Sequence, residues 1–329
     1  MPLVIGHRGA PGYLPEHSRS SYSRAIEAGV DAVEPDVVPS ADGVLVVRHE
    51  NEIGATTDVS TRPEFADRRT SRVVDGERST GWFTEDFTWA ELQTLRCRER
   101  LPALRPGSAA HDDTEPVLRL RDVLELARAG GVGVVLEIKH AAAFARRGFD
   151  MAALVAAELR DAGWADAVDA LIIESFEPLV LSRLREHGIR VPLVQLIESD
   201  GAPWDLRERD GADASSYASM LTPAGLDALA AEVEGISVDK RLVLAPDRWG
   251  RGRGPARLVG EAKRRGLRVY TWTCRPENAF LLPAHRRPGG RAAFGDYRGE
   301  WSVLRDAQLD GVFVDHPDLG VEFFGAGRR

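Results

Sequence analysis

Titratable and charged side chains directly follow several short apolar runs of this sequence. His7 and Arg8 end the run that begins at Leu3, and Gly6 and Gly9 flank them. An imidazole can transfer a proton near neutral pH, an arginine fork can hold a phosphate, and glycines let the backbone approach a ligand closely. This cluster predicts an anion site with a proton-transfer group, and a plain surface turn is the alternative.

Two carboxylates end a second apolar run. Glu34 and Asp36 are two residues apart, so a strand would point both of them to the same side. Like charges on one buried face need a counterion, for which Mg²⁺ or Ca²⁺ is the simplest choice and an arginine is the alternative. Pro35 stands between them and cannot donate to a strand ladder, so we expect regular pairing to have ended at this point.

Two further clusters have the same position relative to apolar runs. Glu137 and Lys139 end one of them, where the carboxylate could complete a metal site and the amine could reach a phosphate oxygen. An ion pair between these two residues is the alternative. His49 ends a strand-like run that begins at Val44, after an Asp-Gly turn, and it supplies a second imidazole. Together, three carboxylates, two histidines and two cations predict one composite site.

The elements that would position these residues alternate between β-rich runs and runs of helical period. The predicted strands are Leu3–Gly6, Ala32–Val37, Val132–Ile138, Ala170–Glu174, Val191–Leu196, Gly235–Val238, Leu267–Trp272 and Gly311–Val314. The predicted helices are Ser20–Ala28, Leu118–Ala129, Met151–Ala162, Leu179–His187, Pro223–Glu232, Ala256–Arg265 and Ser302–Gln308. Eight such units predict an α/β fold, the closed (β/α)8 TIM barrel, whose active sites lie at the carboxyl ends of the strands.

Two segments break this alternation. Residues 51–115 are polar and contain no clear strand, so we interpret them as a subdomain inserted after the second barrel strand, where it would wall a cleft. The run of residues 44–49 before it is interpreted as an excursion from the barrel. Residues 275–299 predict a long loop on the same face. With this insertion included, we expect residues 1–329 to form a single domain.

Composition excludes several classes of protein. The 329 residues carry 43 basic and 51 acidic side chains, a net charge of -8, which disfavours nucleic acid and anionic membranes as partners. No stretch approaches the roughly 18 apolar residues of a membrane span. Without a recognisable leader we expect a cytoplasmic protein, or an exported one if a leader was removed. Cys97 and Cys274 are expected to be free thiols.

Several of these clusters belong to a pattern that closely resembles the glycerophosphodiester phosphodiesterases, and within them the branch that includes the periplasmic enzyme. The matching segments are His7 to Ala10, Pro15-Glu16-His17-Ser18, Glu34-Pro35-Asp36, Asp42 to His49, Leu136 to Lys139, Glu174-Ser175-Phe176, Val194-Gln195-Leu196, Tyr270-Thr271-Trp272 and Asp310 to Asp318. They span nearly the whole chain. Here His17 would orient a substrate hydroxyl or its own loop.

The resemblance implies metal-dependent hydrolysis of small glycerophosphodiesters, such as glycerophosphocholine or glycerophosphoethanolamine, to glycerol-3-phosphate and an alcohol. It implies that His7 and His49 act as acid and base, and that one Mg²⁺ or Ca²⁺ is bound by the carboxylates of Glu34, Asp36 and Glu137. It also implies five substrate contacts: Arg8 and Lys139 on the phosphate, Phe176 and Trp272 along the glycerol end, and Gln195 beside the metal.

Two other functions are compatible with such a barrel. A related phospholipase would share the histidines and the metal, but it would need an apolar lip to dock on lipid. A barrel that binds phosphates or sugars without turnover would keep the pocket alone, which the paired histidines disfavour. The preferred headgroup, the choice of metal and the oligomeric state are left open by the sequence.

Overall fold

Twelve strands are formed within the residues described by the structure, a computed structural model that covers residues 1–247, 250 and 257–325. They are β1 (Leu3–His7), β2 (Ala32–Glu34), β3 (Asp36–Pro39), β4 (Leu45–Val47), β5 (Thr70–Val74), β6 (Glu77–Gly81), β7 (Gly133–Ile138), β8 (Leu171–Ser175), β9 (Leu193–Ile197), β10 (Gly235–Asp239), β11 (Arg268–Cys274) and β12 (Gly311–Val314). Apart from β5 and β6, these strands are apolar and rich in β-branched residues, which suits strands that are covered on both faces.

The parallel strands close into a barrel. β1 pairs with β2 on one side and with β12 on the other, β2 pairs with β7, and β7 to β12 follow one another in order. Each of the eight predicted runs matches one barrel strand to within two residues at either end. The predicted TIM barrel is therefore confirmed.

The second barrel strand is interrupted at Pro35 and then continues. Beyond the proline, Asp36 is still paired with Glu137 and Val37 with Ile138, in the same parallel register as β2 with β7. The expectation that pairing ends at Pro35 was wrong. A proline lacks only the N–H donor, and its carbonyl still accepts a hydrogen bond from the Glu137 amide at 2.9 Å.

Side-chain alternation divides each barrel strand between two cores. Inward-pointing apolar side chains form a small cluster inside the barrel, made of Ile5, Ala32, Val135, Ile172, Val194, Tyr270 and Phe313. A larger apolar cluster lies between the strands and the surrounding helices. Because alternation has a period of two, the inward positions that follow this interior cluster include His7, Glu34, Asp36, Glu137, Glu174 and Trp272. The barrel thus brings these six side chains to its carboxyl end.

Helices surround the barrel, and several of those within the described residues begin at caps readable in the sequence. Ser18 caps the first through its side chain, and Thr222 and a following proline start another. They are α1 (Arg19–Glu27), α2 (Trp89–Leu92), α3 (Pro106–Ala109), α4 (Leu120–Gly130), α5 (Ala141–Ala145), α6 (Met151–Asp161), α7 (Pro178–Glu186), α8 (Trp204–Asp210), α9 (Tyr217–Met220), α10 (Pro223–Glu232), α11 (Lys240–Leu244), α12 (Arg257–Lys263), α13 (Tyr297–Asp306) and α14 (Pro317–Phe324). The helix predicted to begin at Ser302 begins at Tyr297, because Asp296 caps it.

The segment between β4 and α4 contains a hairpin. β5 and β6 pair antiparallel around Asp75 and Gly76, so the expectation of no strand in residues 51–115 was wrong. The Asp-Gly pair between two β-rich runs is the sequence signal for this hairpin. β4 pairs antiparallel with β3, as expected of an excursion from the barrel. The division into a single domain with an inserted subdomain stays a prediction.

Both cysteines are free, as predicted, and both are buried. Cys97 lies in the 51–115 segment, where the Arg48 guanidinium donates to its sulfur at 2.7 Å, and Cys274 ends β11. Within the part of the chain that the structure describes, no helix has both the length and the apolar character needed to cross a bilayer.

Candidate active site

A cavity of about 150 Å³ opens at the carboxyl end of the barrel strands. Eight of the ten predicted site residues line it: His7, Arg8, Glu34, His49, Glu137, Lys139, Phe176 and Trp272. Asp36 is fully buried directly behind this surface, and Gln195 lies elsewhere. The structure thus brings together side chains that are up to 265 residues apart in the sequence.

Arg8 is placed by a sharp turn at the end of β1. Its backbone adopts a left-handed conformation, with φ of 55°, and its amide donates to the Glu34 carbonyl at 3.0 Å and to a Glu34 carboxylate oxygen at 2.9 Å. Gly9 follows with φ of 93°, where a Cβ atom would lie 2.6 Å from the Ser21 hydroxyl. The flanking glycine is therefore required by the close approach of this turn to α1.

The three predicted metal ligands form one cluster. Glu34, Asp36 and Glu137 each offer a carboxylate oxygen within 4.8 Å of the others. The Lys139 ammonium lies 2.6 Å from Glu137 and 3.3 Å from Asp36, so the ion pair considered as an alternative is present. Arg8 Nε also lies 3.2 Å from Asp36. These two cations partly neutralise the negative charge of the three carboxylates.

The carboxylates nevertheless fit a divalent cation. Glu34 Oε1 makes no hydrogen bond with any described residue, whereas Asp36 Oδ1 and Glu137 Oε1 face the Lys139 ammonium at 3.3 Å and 2.6 Å. Burial and the adjacent Asp36 raise the pKa of Glu34 well above its usual range. Burial also raises the pKa of Glu137 to about 8, although Lys139 opposes it. A hard dication would favour the ionised forms of all three carboxylates.

His17 supports this cluster from behind. It is fully buried, its Nε2 atom lies 3.0 Å from Asp36 Oδ2, and its Nδ1 atom lies 2.7 Å from the Tyr22 hydroxyl. Arg8 contacts Glu16 on its other side, at 3.2 Å. His17 therefore orients a candidate metal ligand, a role that the sequence did not indicate.

His7 lies at the end of β1 with a carboxylate partner. Its Nδ1 atom is 2.7 Å from Asp315 Oδ1, in the segment that follows β12, and this contact leaves Nε2 as the second ring nitrogen. Burial and the neighbouring Arg8 lower the pKa of His7 to about 4, although Asp315 opposes them. The imidazole is therefore neutral at pH 7 and can accept a proton.

His49 has a similar arrangement outside the barrel strands. Its Nδ1 atom is 2.6 Å from Glu50 Oε1, and 29% of its side chain is exposed. Burial, Arg8 and Lys139 together lower the pKa of His49 to about 3. Both candidate proton-transfer groups are thus neutral imidazoles, each paired with a carboxylate through Nδ1.

Two aromatic side chains form the opposite wall of the cavity. Phe176 and Trp272 meet edge to face with ring centres 5.7 Å apart, and the Lys139 ammonium lies 5.5 Å from the Phe176 ring centre. The Trp272 indole donates to the Ser237 carbonyl at 3.3 Å. An apolar wall that begins beside a cation suits a ligand with an anionic part and a small organic part.

Gln195 does not reach this cavity. Its neighbour Val194 points into the barrel, so Gln195 points outward toward the helices, where it lines a different cleft. Its amide donates to the carbonyls of Phe176 at 3.0 Å and Leu196 at 2.9 Å. Its expected place beside the metal came from the resemblance alone. In this chain the Gln195 side chain hydrogen-bonds to backbone carbonyls instead.

Sequence reasoning gave no role to two buried acids at this end of the barrel, Asp315 and Glu174. Glu174 lines the cavity next to Glu137, and its Oε2 atom lacks a hydrogen-bond partner among the described residues. Burial and Glu137 raise its pKa well above the usual range. Its position at the end of a predicted strand was a usable signal, whereas the pairing of Asp315 with His7 joins residues 308 positions apart.

Comparison with known proteins shows the family of this chain. Residues 7–319 match the model of the Glycerophosphoryl diester phosphodiesterase family. Glycerophosphodiester phosphodiesterase GDPD6 of Arabidopsis thaliana is 29% identical over 95% of this chain and 83% of its own length. The glycerophosphodiester phosphodiesterase of Treponema pallidum is 27% identical over 99% of this chain and 93% of its own length.

Solved structures share the fold. A glycerophosphodiester phosphodiesterase of Agrobacterium tumefaciens superposes with a TM-score of 0.61, at 18% identity, over 98% of this chain and all of its own. A phosphodiesterase of Oleispira antarctica, solved in complex with the product sn-glycerol-3-phosphate, gives a TM-score of 0.63 at 19% identity, over 99% and 98% of the two chains. With the family matched from residue 7 to residue 319, this chain belongs to the glycerophosphoryl diester phosphodiesterases.

Proposed function

We propose that this protein hydrolyses small glycerophosphodiesters, such as glycerophosphocholine or glycerophosphoethanolamine, to glycerol-3-phosphate and an alcohol, with one Mg²⁺ or Ca²⁺ bound. One observation carries the proposal: a single cavity is lined by two histidines, by candidate metal carboxylates and by two cations. The Oleispira antarctica relative was solved with glycerol-3-phosphate as its product, which supports the same product here.

A phosphodiester resists attack because its negative oxygens repel nucleophiles. Glu34, Asp36 and Glu137 would hold the cation, which would polarise a phosphoryl oxygen and offset charge that develops in the transition state. Arg8 and Lys139 lie at the same end of the cavity and would bind the remaining phosphate oxygens. Both cations would thus act beside the metal, since each contacts the Asp36 carboxylate.

Proton transfer would use the ring nitrogens that face the cavity. One histidine accepts the proton of the attacking group, either a neighbouring substrate hydroxyl that gives a cyclic phosphate or a water molecule. The other histidine must carry a second proton, on Nε2, a form that the anionic phosphate of a bound substrate favours, and it donates that proton to the leaving alcohol. Each positioned transfer contributes about 10²- to 10⁴-fold to the rate. His7 and His49 both pair through Nδ1, so each would work through Nε2.

The size of the cavity favours a deacylated substrate. About 150 Å³ is well below the roughly 300 Å³ at which drug-sized pockets begin, so a glycerol phosphate moiety suits it better than an acyl chain. Among the described residues, the exposed large apolar side chains are Met1, Val73, Val168 and Phe294, which come from four separate segments. This distribution gives no support to the lipid-docking lip of a phospholipase.

The test is turnover of glycerophosphocholine, followed by detection of glycerol-3-phosphate, after chelation and then with Mg²⁺ or Ca²⁺ added back. We expect activity that is lost on chelation and restored by a divalent cation. His7→Ala and His49→Ala should each lower kcat by about 10²-fold or more, while the exposed His111→Ala serves as the matched control.

Three results would contradict the proposal. Normal turnover by His49→Ala would remove the acid–base pair. Hydrolysis of intact phospholipid in preference to glycerophosphocholine would indicate the phospholipase. Binding of glycerophosphocholine without any turnover, in the presence of either metal, would indicate a barrel that only binds its ligand.

A further inference from the structure

Each histidine of the cavity is held by a carboxylate, and each carboxylate is contacted by an arginine from the inserted segment. Arg105 Nη2 lies 2.6 Å from Asp315 Oδ2, the oxygen that His7 does not use. Arg100 reaches both oxygens of Glu50, at 2.6 Å each. Residues 51–115 therefore meet the site at two separate points.

Both arginines are anchored beyond these contacts. Arg105 is 5% exposed at its side chain, and its Nε atom donates to Glu277 at 2.8 Å. Arg100 Nε donates to Glu16 at 2.9 Å, and Glu16 also contacts Arg8. Neither guanidinium is a loose surface charge, because each bridges two carboxylates from different parts of the chain.

The geometry restricts what each imidazole can do. A carboxylate with one oxygen on Nδ1 and the other on an arginine fork cannot rotate without losing a charged hydrogen bond. It therefore fixes the plane of the histidine ring and keeps a proton on Nδ1, so that Nε2 is the atom that accepts or donates a proton in the reaction. A displacement of about 1 Å at such a group costs roughly 10²-fold in rate.

The two carboxylates differ in how many arginines contact them. Asp315 Oδ2 also accepts from Arg275 Nε at 2.6 Å, so two arginines share that carboxylate. Among the described residues, Arg100 is the arginine in contact with Glu50. Removal of Arg100 should therefore let Glu50 move more than removal of Arg105 lets Asp315 move, because Arg275 still holds Asp315.

We propose that the inserted segment is part of the acid–base machinery: Arg100 and Arg105 are positioning residues that fix the ring orientation and tautomer of His49 and His7 through Glu50 and Asp315. This inference rests on the proposed function. It gives residues 51–115 a role in the rate of the reaction, beyond walling the cleft.

The test compares Arg100→Ala, Arg105→Ala and the charge-keeping Arg100→Lys and Arg105→Lys with Arg98→Ala. Arg98 is the matched control, because it lies in the same segment but pairs outward with Asp113. We expect kcat to fall about 10- to 100-fold for the Arg100 variants and less for the Arg105 variants. Arg98→Ala should keep the wild-type kcat, and the lysine variants cover any alanine variant that fails to fold.

A second readout separates positioning from general loss of structure. In protein labelled with ¹⁵N at histidine, the ring signals of His7 and His49 should show protonated Nδ1 in the wild type and mixed tautomers in the arginine variants. His7→Ala and His49→Ala assign these signals by their absence. Arg98→Ala should leave the signals unchanged.

Three outcomes would overturn the inference. The first is a kcat of the arginine variants equal to that of Arg98→Ala, and the second is a loss of kcat with unchanged tautomer signals. The third is a higher KM at unchanged kcat in Arg100→Ala, which would mean that Arg100 supports the phosphate contact of Arg8 and not His49. The same assay keeps the two proposals apart. Turnover by the histidine variants would defeat the proposed function, whereas inactive histidine variants with fully active arginine variants would defeat only this inference.

Discussion

His7 and His49 face the same cavity, but different parts of the molecule hold them. His7 ends β1, and its partner Asp315 follows β12, the strand that pairs with β1. His49 and Glu50 follow β4, outside the closed barrel, and their side chains are 29% and 35% exposed. One proton-transfer group is thus built into the barrel, and the other depends on an excursion and an insertion.

The difference shows how one fold can combine a rigid and an adjustable half of a site. Paired barrel strands fix the distance between His7 and Asp315 through backbone hydrogen bonds. The His49 side is fixed mainly by side-chain contacts among Glu50, Arg100 and Glu16. We expect substitutions to act more strongly where buried groups have no solvent to replace a lost contact.

The largest expected effect is at the buried pair. In Asp315→Asn, the amide oxygen must still accept from Arg105 and Arg275, so the NH₂ group turns toward His7 and forces the wrong tautomer. We expect kcat to fall by about 10²- to 10⁴-fold with little change in KM. Steady-state kinetics beside the exposed control Asp318→Asn would measure it, and a loss below tenfold would contradict the rigid role of this pair.

A smaller effect is expected at the exposed pair. Glu50→Gln keeps the shape of the side chain, and water can replace part of the lost contact with His49 because both side chains are partly exposed. We expect kcat to fall about 10- to 100-fold, the range expected for Arg100→Ala, because Arg100 acts on His49 through Glu50. If Glu50→Gln were more damaging than Asp315→Asn in the same assay, the contrast between the two sides would be wrong.

The protonation states give a third way to sharpen the contrast. The pKa of His7 is lowered to about 4 and that of His49 to about 3, so both rings stay neutral as the pH falls through 6.5 and gain a proton only below about pH 5. A histidine acting as base should therefore be available throughout the neutral range. An NMR titration of the metal-free protein would test this, and a midpoint above pH 6 for either ring would contradict it.

The smallest expected effect perturbs the insertion without touching either histidine. Burial raises the pKa of Glu177 to about 8, and Asp75 of the β5–β6 hairpin adds to this shift. The folded protein then binds more protons than the unfolded chain between about pH 5 and 8, so stability falls as the pH rises. Glu177→Gln has no carboxyl group to ionise, so it should not lose stability in this pH range. Its free energy of unfolding should therefore exceed that of the wild type by more at pH 8 than at pH 5, by on the order of 1 kcal/mol.

Denaturant unfolding at the two pH values measures this difference. Turnover of Glu177→Gln should match the wild type, because Glu177 is not among the residues that line the active-site cavity. An equal gain at both pH values would show that Glu177 is ionised to the same extent in the folded and unfolded chain.

The barrel was predictable from the sequence because its strands are continuous apolar runs with charged residues at their ends. Period-two spacing placed Glu34 and Asp36 on one face before any coordinates were known. The same rule could not orient Gln195, because its strand is apolar on both faces and offers no polar side to read. The assignment of Gln195 therefore depended on the resemblance alone.

The contacts that hold the histidines were beyond the reach of the sequence. Arg100 and Arg105 lie in an irregular segment whose path follows no period, and each meets carboxylates far away in the chain. Glu50 is adjacent to His49 in the sequence, but nothing in the sequence distinguishes it from an acidic residue that faces solvent. Local patterns predict which side of an element is buried, while long-range ion pairs depend on how loops close over it.

The enclosure of both thiols has a practical use. A cysteine introduced at Val73, on the exposed outer face of the β5–β6 hairpin, would be far more accessible to thiol reagents than Cys97 or Cys274. A fluorophore or spin label attached there would report from one known place. Spectroscopy could then follow whether the hairpin changes position while the enzyme turns over.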